Sequence, residues 1–524
     1  MADAVPRTFD HTSDIQTRVT RGVRTTFLLS LLSVPVGYLT QIFLARTSTE
    51  AVGIFGAVVL WSTFAQSFYY FGGNAVVIRY FPGLASNQQS QFLRSYTMLL
   101  LALTVPGVFL LFRTSLHSKL TTGTLANFSV ALYLAIALVN VYQQLYISAL
   151  KAMLDLEVAQ VLSRVTTLGQ FGLYGVMFFF GRKWFLSHLV LTIIAGHLFF
   201  VGLSLLLAVY FLFRRLPVRS IGRLWRFPPG FWKFSFLTEL STLVSFLYGR
   251  IDQVVVLIYA SISGLGIYYV LSQLSSSIQL LSTFFLDSIF PAIASVHVRL
   301  GAGATRQLYR RSARINQLIV TGSCLVILSF HSLVLATFGR DYRNYSAVLI
   351  VLVAFSGLNS LGTLNAFTLT GTGKIGMLIW SQSSQVLAFV ALFGVFHGGD
   401  SLLRLALAQG VAMTLGLLVT IIAVRIQPQL RIGVPREFWA SAAAISGTVL
   451  FLLKGQRFGS IWSAAGLFIA AFGLFLLLGG YTRGELASLL AFVHPSIAPS
   501  NVATRQIFDL SADSDPDKDR RGPA

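Results

Sequence analysis

Charged residues are scarce in this sequence. Its 524 residues include 39 Lys and Arg and 18 Asp and Glu, together 11%, against roughly 25% in a soluble domain. Hydrophobic residues make up 55%, aromatic residues 13%, and the mean hydropathy is +0.73. Too little polar surface is available to keep a chain of this length in water, which excludes a soluble enzyme and makes a polytopic membrane protein the expectation. Cysteine is nearly absent. The single Cys324 lies in an apolar run, so no internal disulfide and no cysteine-based metal site is open to it. Long polar loops are missing too: the longest, 214–231, is under about twenty residues, too short to fold separately. A cleaved signal peptide is not expected either. Residues 1–21 are polar, and the first apolar stretch, Phe27–Leu44, is long and lacks a small-residue cleavage site after it.

What the sequence does contain is apolar runs long enough to cross a bilayer, about 20 residues each. They fall at 24–46, 52–80, 96–113, 124–149, 157–181, 187–213, 232–260, 264–293, 313–337, 346–370, 375–397, 402–425, 436–454 and 459–481. These fourteen are too long for barrel strands of about ten alternating residues, so the expected class is all-α. The tail after Tyr481 opens with an amphipathic piece, Glu485–Val493, and ends acidic, which predicts disorder.

The net charge of +21 would point to nucleic acid in a soluble chain. Here the basic residues sit between apolar runs, and they sort by side. With the N-terminus inside, 27 Lys and Arg fall on the cytoplasmic side and 10 outside, with Arg164 and Arg250 within spans. That asymmetry sets both termini in the cytoplasm. The largest basic loops, Arg214–Lys233 and Arg299–Arg314, are accounted for by the same rule.

Motifs for covalent chemistry are absent. Thr370-Gly371-Thr372-Gly373-Lys374 resembles the end of a phosphate-cradling loop, but Thr368 stands where its first Gly belongs and Ile375 follows the Lys. It reads as a turn between spans. Eight His are scattered without paired metal spacing. His197 and His331 lie within spans and read as helix-packing residues. Asn127-Phe128-Ser129 and Asn344-Tyr345-Ser346 match a glycosylation triplet that is common by chance. No metal and no cofactor is expected.

The informative signal is polar residues inside spans at helical spacing. In the seventh span Ser235, Thr238, Glu239, Thr242, Ser245, Gly249, Arg250, Asp252 and Gln253 share an arc of about 160° at 100° per residue. Leu237, Leu240, Leu243, Val244, Leu247, Ile251, Val254 and Ile258 take the opposite face. The eighth span repeats the design with Ser272, Ser276, Gln279, Thr283 and Asp287. The first does so with Thr26, Ser30, Ser33, Gly37 and Thr40, the second with Ser62, Gln66, Tyr69 and Gly73. Small and hydroxyl residues alone would signal ordinary helix contacts, which suffices for Gly169, Gly172 and Gly175. It does not suffice for Glu239, Arg250, Asp252 and Asp287, because a charge in the bilayer costs several kcal/mol unless paired or wet. A water-filled cavity between these four helices is the economical expectation. Glu239 and Asp287, at similar depth, are candidate ion-coupling residues. Arg250, eleven residues from Glu239, returns to within about 20° of it.

An internal repeat is present. Gly53-Ile54-Phe55 opens the second span, which closes at Arg79-Tyr80-Phe81-Pro82. Gly266-Ile267-Tyr268 opens the eighth, which closes at Ile289-Phe290-Pro291. Six spans separate the copies, so they run in the same sense, predicting two like-oriented halves of six helices. The organisation expected is an N-tail (1–23), an N-lobe of six spans (24–213), a basic linker (214–231), a C-lobe of six spans (232–425), two extra C-terminal helices (436–481) and a cytoplasmic tail (482–524).

Segment Ile42–Pro82 resembles the opening of the bacterial polysaccharide-biosynthesis and oligosaccharide flippases. So does Tyr248–Pro291, with Gly249-Arg250-Ile251-Asp252 followed by Gly266-Ile267-Tyr268 and Phe290-Pro291, and Phe338-Gly339-Arg340-Asp341-Tyr342 is a third echo. These belong to the multidrug/oligosaccharidyl-lipid/polysaccharide exporter superfamily, and the pattern covers residues 20–425. The resemblance implies two pseudo-symmetric lobes around a central cavity lined by the first, second, seventh and eighth helices, the set picked out independently by the polar stripes. It also implies a cargo, polyprenyl-diphosphate-linked sugars moved to the outer leaflet of the inner membrane. Arg250 and Asp252 match the pattern best. Arg164, Arg46, Gln66 and Gln279 complete the candidate cavity contacts, with Arg164 placed for uptake and Arg46 for release.

Physically, a sugar-diphosphate head must cross about 30 Å of hydrocarbon. It needs a polar, partly cationic path with alternating access and no covalent chemistry, so a non-enzymatic flippase, acting as a monomer, is expected. O-antigen, capsule, exopolysaccharide and peptidoglycan-precursor cargoes are not distinguished. An ion-coupled multidrug exporter of the same superfamily shares every feature of the fold. A membrane glycosyltransferase or ligase is disfavoured by the absent large loop, and a scaffold for glycan-assembly proteins by the intramembrane charges.

Overall fold

The computed structural model describes residues 33–113, 130–153, 155–216, 227–372, 374–395, 401–427, 433–454 and 461–481. The N-tail, residues 24–32 of the first span, most of the basic linker, Asn127 and the amphipathic and acidic tail lie outside the described residues. Everything described is helix or short connection. Helix α1 covers 33–47. Then come α2 (Thr49–Tyr69), α3 (Gly73–Tyr80), α4 (Ser86–Arg113), α5 (Val130–Ala152), α6 (Leu156–Phe180), α7 (Arg182–Ser187), α8 (Leu189–Phe213) and α9 (Phe231–Tyr259). They are followed by α10 (Ile262–Ser329), α11 (His331–Phe338), α12 (Arg340–Arg343), α13 (Ser346–Leu361), α14 (Thr363–Gly371), α15 (Ile375–Val395), α16 (Ser401–Ile426), α17 (Arg436–Leu453) and α18 (Ile461–Gly479). Each of the fourteen expected spans carries a helix, and ten of them are long and apolar enough, among the described residues, to cross a membrane on those criteria alone. The chain is an all-α, multi-span membrane protein.

Three differences from the expected spans have local causes. The second span is broken: α2 stops at Tyr69, and Phe71, Gly72 and Gly73 all take positive φ (41°, 94° and 58°) before α3 begins. Two consecutive glycines adopt that left-handed stretch without steric strain. The tenth span is likewise divided, at Gly362, into α13 and α14. The eighth and ninth spans are not separated by a loop. Two helices, taken together here as α10, meet end to end at Gly301, whose φ of 80° and ψ of −169° are not helical. The basic stretch between them is rich in Ala, Arg, Gln and Leu, which favour helix as readily as loop.

The chain forms two compact units. The first holds residues up to Val270 together with Ala336–Tyr342; the second holds Leu271–Leu335 and the chain from Arg343 on. In the first unit the core gathers on α5, which packs against α2, α3, α4 and α8 around Tyr70, Tyr96, Val141, Leu145, Ala208 and Phe231. Helix α9 packs on α2 and α3. Its outward side is apolar: Phe236, Leu237 and Leu240 are exposed, as a lipid-facing surface requires. At one end of this unit Phe92, Tyr96, Phe227 and Phe231 form an aromatic cluster, with Phe227 stacked on Phe231 at 4.1 Å.

The second unit packs α15 on α16, α16 on α13, and α17 on both α13 and α18. The final pair is fixed to α10 by Arg314. Its Nε lies 3.0 Å from Glu437, its Nη2 donates to the Gly480 carbonyl at 2.9 Å, and the Tyr481 hydroxyl donates back to the Arg314 carbonyl at 2.9 Å. Thr321 donates to Ser441 at 2.8 Å, deeper on the same seam.

Candidate functional site: the polar faces of the spans

The broken second span organises the first unit's polar interior. Interrupting a helix frees backbone groups that hydrocarbon cannot satisfy, so protein groups must do so. Tyr96 of α4, fully buried, sends its hydroxyl to the carbonyls of Tyr70 (2.8 Å) and Phe71 (2.9 Å). From α9, Glu239 accepts a hydrogen bond from the Gly72 N–H at 2.9 Å through Oε2. The carboxylate thus sits at the start of α3, where a helix favours negative charge. Its other oxygen, Oε1, is buried and has no hydrogen-bond partner among the described residues, and the same holds for Ser235 Oγ one turn earlier on α9. The Tyr70 hydroxyl reaches Ser148 of α5 at 3.0 Å, and Ser148 also bonds Asn74 of α3.

A second network fills the membrane interior of the same unit. His197 of α8 is buried, with Nε2 3.1 Å from Ser62 Oγ of α2 and 3.2 Å from Asn140 Nδ2 of α5; its Nδ1 lies 3.2 Å from Gln170 Nε2 of α6. Gln66 extends the network, donating to Asn140 Oδ1 at 3.4 Å, and Gln143 donates to Ser204 at 2.9 Å. His197 is therefore a packing residue among four helices. Asn140, Gln143, Ser148, Gln170 and Tyr96 were not picked from the sequence. Lone amides and hydroxyls in the apolar third, fourth and fifth spans are the available signal.

The cationic end of α9 is arranged differently from a static ion pair. Arg250, half-buried, donates from Nη1 to Gln253 Oε1 at 3.1 Å. Asp252 is buried and its oxygens are already engaged: Oδ1 by the Gln253 N–H at 2.8 Å, Oδ2 by the Tyr268 hydroxyl at 2.8 Å. Arg250 attracts that carboxylate electrostatically without bridging it. Nor does Glu239 pair with Arg250. Eleven residues along a helix separate them by about 16 Å, and Glu239 is turned to the α2–α3 break.

The other sequence candidates disperse. Arg46 is exposed at the end of α1 and donates from Nε to the Thr337 carbonyl at 2.8 Å. Arg164 is half-buried on α6, within electrostatic reach of Lys151 at the end of α5. Gln279 is half-buried in the second unit, where its carbonyl accepts from Thr283 at 2.9 Å. Asp287 lies on α10, with its side chain outside the described residues. Glu239, Arg250, Asp252, Gln66, Arg164 and Arg46 thus share one unit, and Gln279 and Asp287 belong to the other. The second unit has a small recess of its own, lined by Tyr309, Gln317, Leu364, Asn365 and Phe438, where Tyr309 donates to Asn365 at 2.5 Å. Among the described residues no three His, Cys, Asp or Glu side chains converge as a metal would need.

This fold matches solved transporters. The lipid II flippase MurJ, in an inward closed conformation, superposes with a TM-score of 0.64 over 90% of this chain and 99% of that one, at 13% identity. An inward-facing multidrug resistance MATE family transporter of the MOP superfamily matches with a TM-score of 0.57 over 81% and 96%, at 16% identity. The MATE multidrug transporter DinF-BH matches at 0.56 over 79% and 96%, with 12% identity. At such identities the likeness is one of fold. No curated protein matches the chain. The sequence pattern of one family does, across residues 19–297 and so more than half the length, and the chain therefore belongs to the polysaccharide biosynthesis protein family.

Proposed function

We propose that the protein flips polyprenyl-diphosphate-linked oligosaccharide across the bacterial inner membrane by alternating access, for surface polysaccharide assembly, with both termini in the cytoplasm. The observation that carries this reading is Arg250. It is a half-buried guanidinium in a membrane helix, held by a neutral amide rather than neutralised by a bridging carboxylate. A charge so placed is costly unless something compensates it, and a planar guanidinium fork suits phosphate oxygens. Asp252, locked to Tyr268 and the Gln253 backbone, is a positioning residue that fixes this stretch of α9. Family membership supports the polysaccharide connection. The chemistry needs no covalent step, so the role is that of a transporter and not of an enzyme.

Glu239 is the group best placed to carry a coupling ion. One oxygen is tied to the broken span and the other is buried without a partner among the described residues, so a proton taken up there would change that tie. Deleting the gene and following surface glycan and lipid-linked intermediates tests the main reading. Export and intermediate levels both unchanged, in a cell without a paralogue, would sink it. The fold likeness to MATE transporters supports a second reading, an ion-coupled multidrug exporter. Drug susceptibility of the deletion strain, with intact glycan, is the result that would favour it.

A further inference from the structure

One end of the first unit gathers guanidinium groups away from Arg250. Arg46 closes α1, and its Nε donates to the Thr337 carbonyl at 2.8 Å, across 291 positions of sequence. Arg182, the first residue of α7, donates from Nη2 to the carbonyl of Arg46 at 3.1 Å, across 136 positions. Two arginines far apart in sequence are thereby set side by side. Both are exposed, and both are anchored by backbone carbonyls. A carbonyl orients a guanidinium without cancelling its charge. The anchoring uses Nε of Arg46 and one Nη of Arg182, so the terminal nitrogens of Arg46 and the remaining donors of Arg182 stay available for a ligand.

The neighbouring segment adds to the cluster. Phe338 and Tyr342 are buried and their rings lie 5.9 Å apart, so the Phe338–Tyr342 motif is pinned by its aromatic ends. Between them Arg340 is exposed, three residues beyond the carbonyl that holds Arg46; Lys183, next to Arg182, is exposed as well. The same segments, residues 46–50, 182–183 and 338–342, carry two carboxylates, Asp341, exposed, and Glu50, half-buried in the first turn of α2. Cations outnumber carboxylates in these segments by four to two. The exposed Trp184 stacks on His188 at 4.8 Å beside the cluster, and a tryptophan in that setting marks the headgroup level of a bilayer. A cationic fork at headgroup depth has one obvious class of ligand.

We propose that Arg46 and Arg182, supported by Arg340, form a binding site for a lipid-borne phosphate. The guanidinium pair takes phosphate oxygens through its free N–H groups, which is the geometry for which Arg is better suited than Lys. Two sources offer that chemistry: the diphosphate of the carrier lipid and the headgroup of an anionic phospholipid. The first rests on the flippase reading; the second does not.

The test uses the full-length protein in nanodiscs of zwitterionic lipid, titrated separately with polyprenyl diphosphate and with phosphatidylglycerol, binding being read by native mass spectrometry. Each charge-assisted contact removed should weaken binding about tenfold or more. Arg182→Lys, which keeps charge and loses the fork, and Arg340→Gln, at an exposed position, should each do so, and Arg46→Gln with Arg182→Gln together should abolish it. Loss of phosphatidylglycerol binding alone would assign the site to membrane lipid and leave the proposal standing while the carrier-lipid arm falls. Loss of polyprenyl diphosphate binding alone would assign it to the carrier. Unchanged affinity for both lipids in the double variant and in Arg340→Gln would overturn the proposal.

Discussion

The two glycines that mark the internal repeat pack against one another's helices, and this makes them the most exposing place to perturb the fold. A methyl group on Gly266 of α10 would stand 2.8 Å from the Gly53 nitrogen and overlap the Thr49 carbonyl oxygen; one on Gly53 of α2 would overlap the Ile262 carbonyl, with the Ile262 carbonyl carbon 2.8 Å away. All of these obstacles are backbone, which has no rotamer to yield. Contact between carbon and oxygen needs over 3 Å, so α2 and the start of α10 would have to part by about 1 Å, a gap that forfeits a quarter to a half of the dispersion energy along the seam. Overpacking of this kind costs about 1–3 kcal/mol. Gly53→Ala and Gly266→Ala should therefore each lower the midpoint of thermal unfolding in detergent by an amount corresponding to about 2 kcal/mol. The double variant should lose less than the two together, because one displacement relieves both clashes. Gly172→Ala on α6, which meets nothing within 4 Å, is the control and should hold or gain a little through helix propensity. A wild-type midpoint for Gly266→Ala, or full additivity of the pair, would refute the argument.

Arg250→Lys keeps the charge and loses the fork, so export of lipid-linked glycan should fall strongly at normal membrane levels. Full export by a well-expressed Arg250→Ala protein would remove the residue from any substrate role. Glu239→Gln retains an acceptor for the Gly72 N–H but cannot release a proton; transport in vesicles with an imposed pH gradient should become indifferent to that gradient, while indifference of the wild type would deny Glu239 a coupling role. Arg314→Ala removes the 3.0 Å contact to Glu437 and the bond to the Gly480 carbonyl. Both partners are partly shielded, so about 1–3 kcal/mol is expected, read as faster protease cleavage within α17 and α18. Unchanged cleavage would mean that packing alone holds the final helix pair.

Much of this molecule was legible from its sequence because a bilayer leaves few choices. Apolar runs of span length must be helices, since only a helix satisfies its own backbone in lipid, and each run carries one. The seventh span's stripe was readable in part: Leu237 and Leu240 face outward, and Ser235, Glu239, Asp252 and Gln253 are buried, while Ser245 and Gly249 of the same stripe are exposed. What periodicity cannot supply is the partner. Arg250 and Glu239 lie on one side of a helix, yet tertiary packing turns Glu239 to the break in the second span and leaves Arg250 on Gln253. The break itself needed the structure, because Gly72-Gly73 in an apolar run is compatible with a continuous helix until Tyr96 and Glu239 arrive to satisfy the freed groups. The repeat's glycines were visible as a pattern 213 residues apart; their meeting at one backbone contact was not, because a spacing in sequence says nothing about which surfaces touch. Local chemistry and solvent set the helices and their faces, and the long-range contacts that give each polar group its partner exist only once the chain has folded.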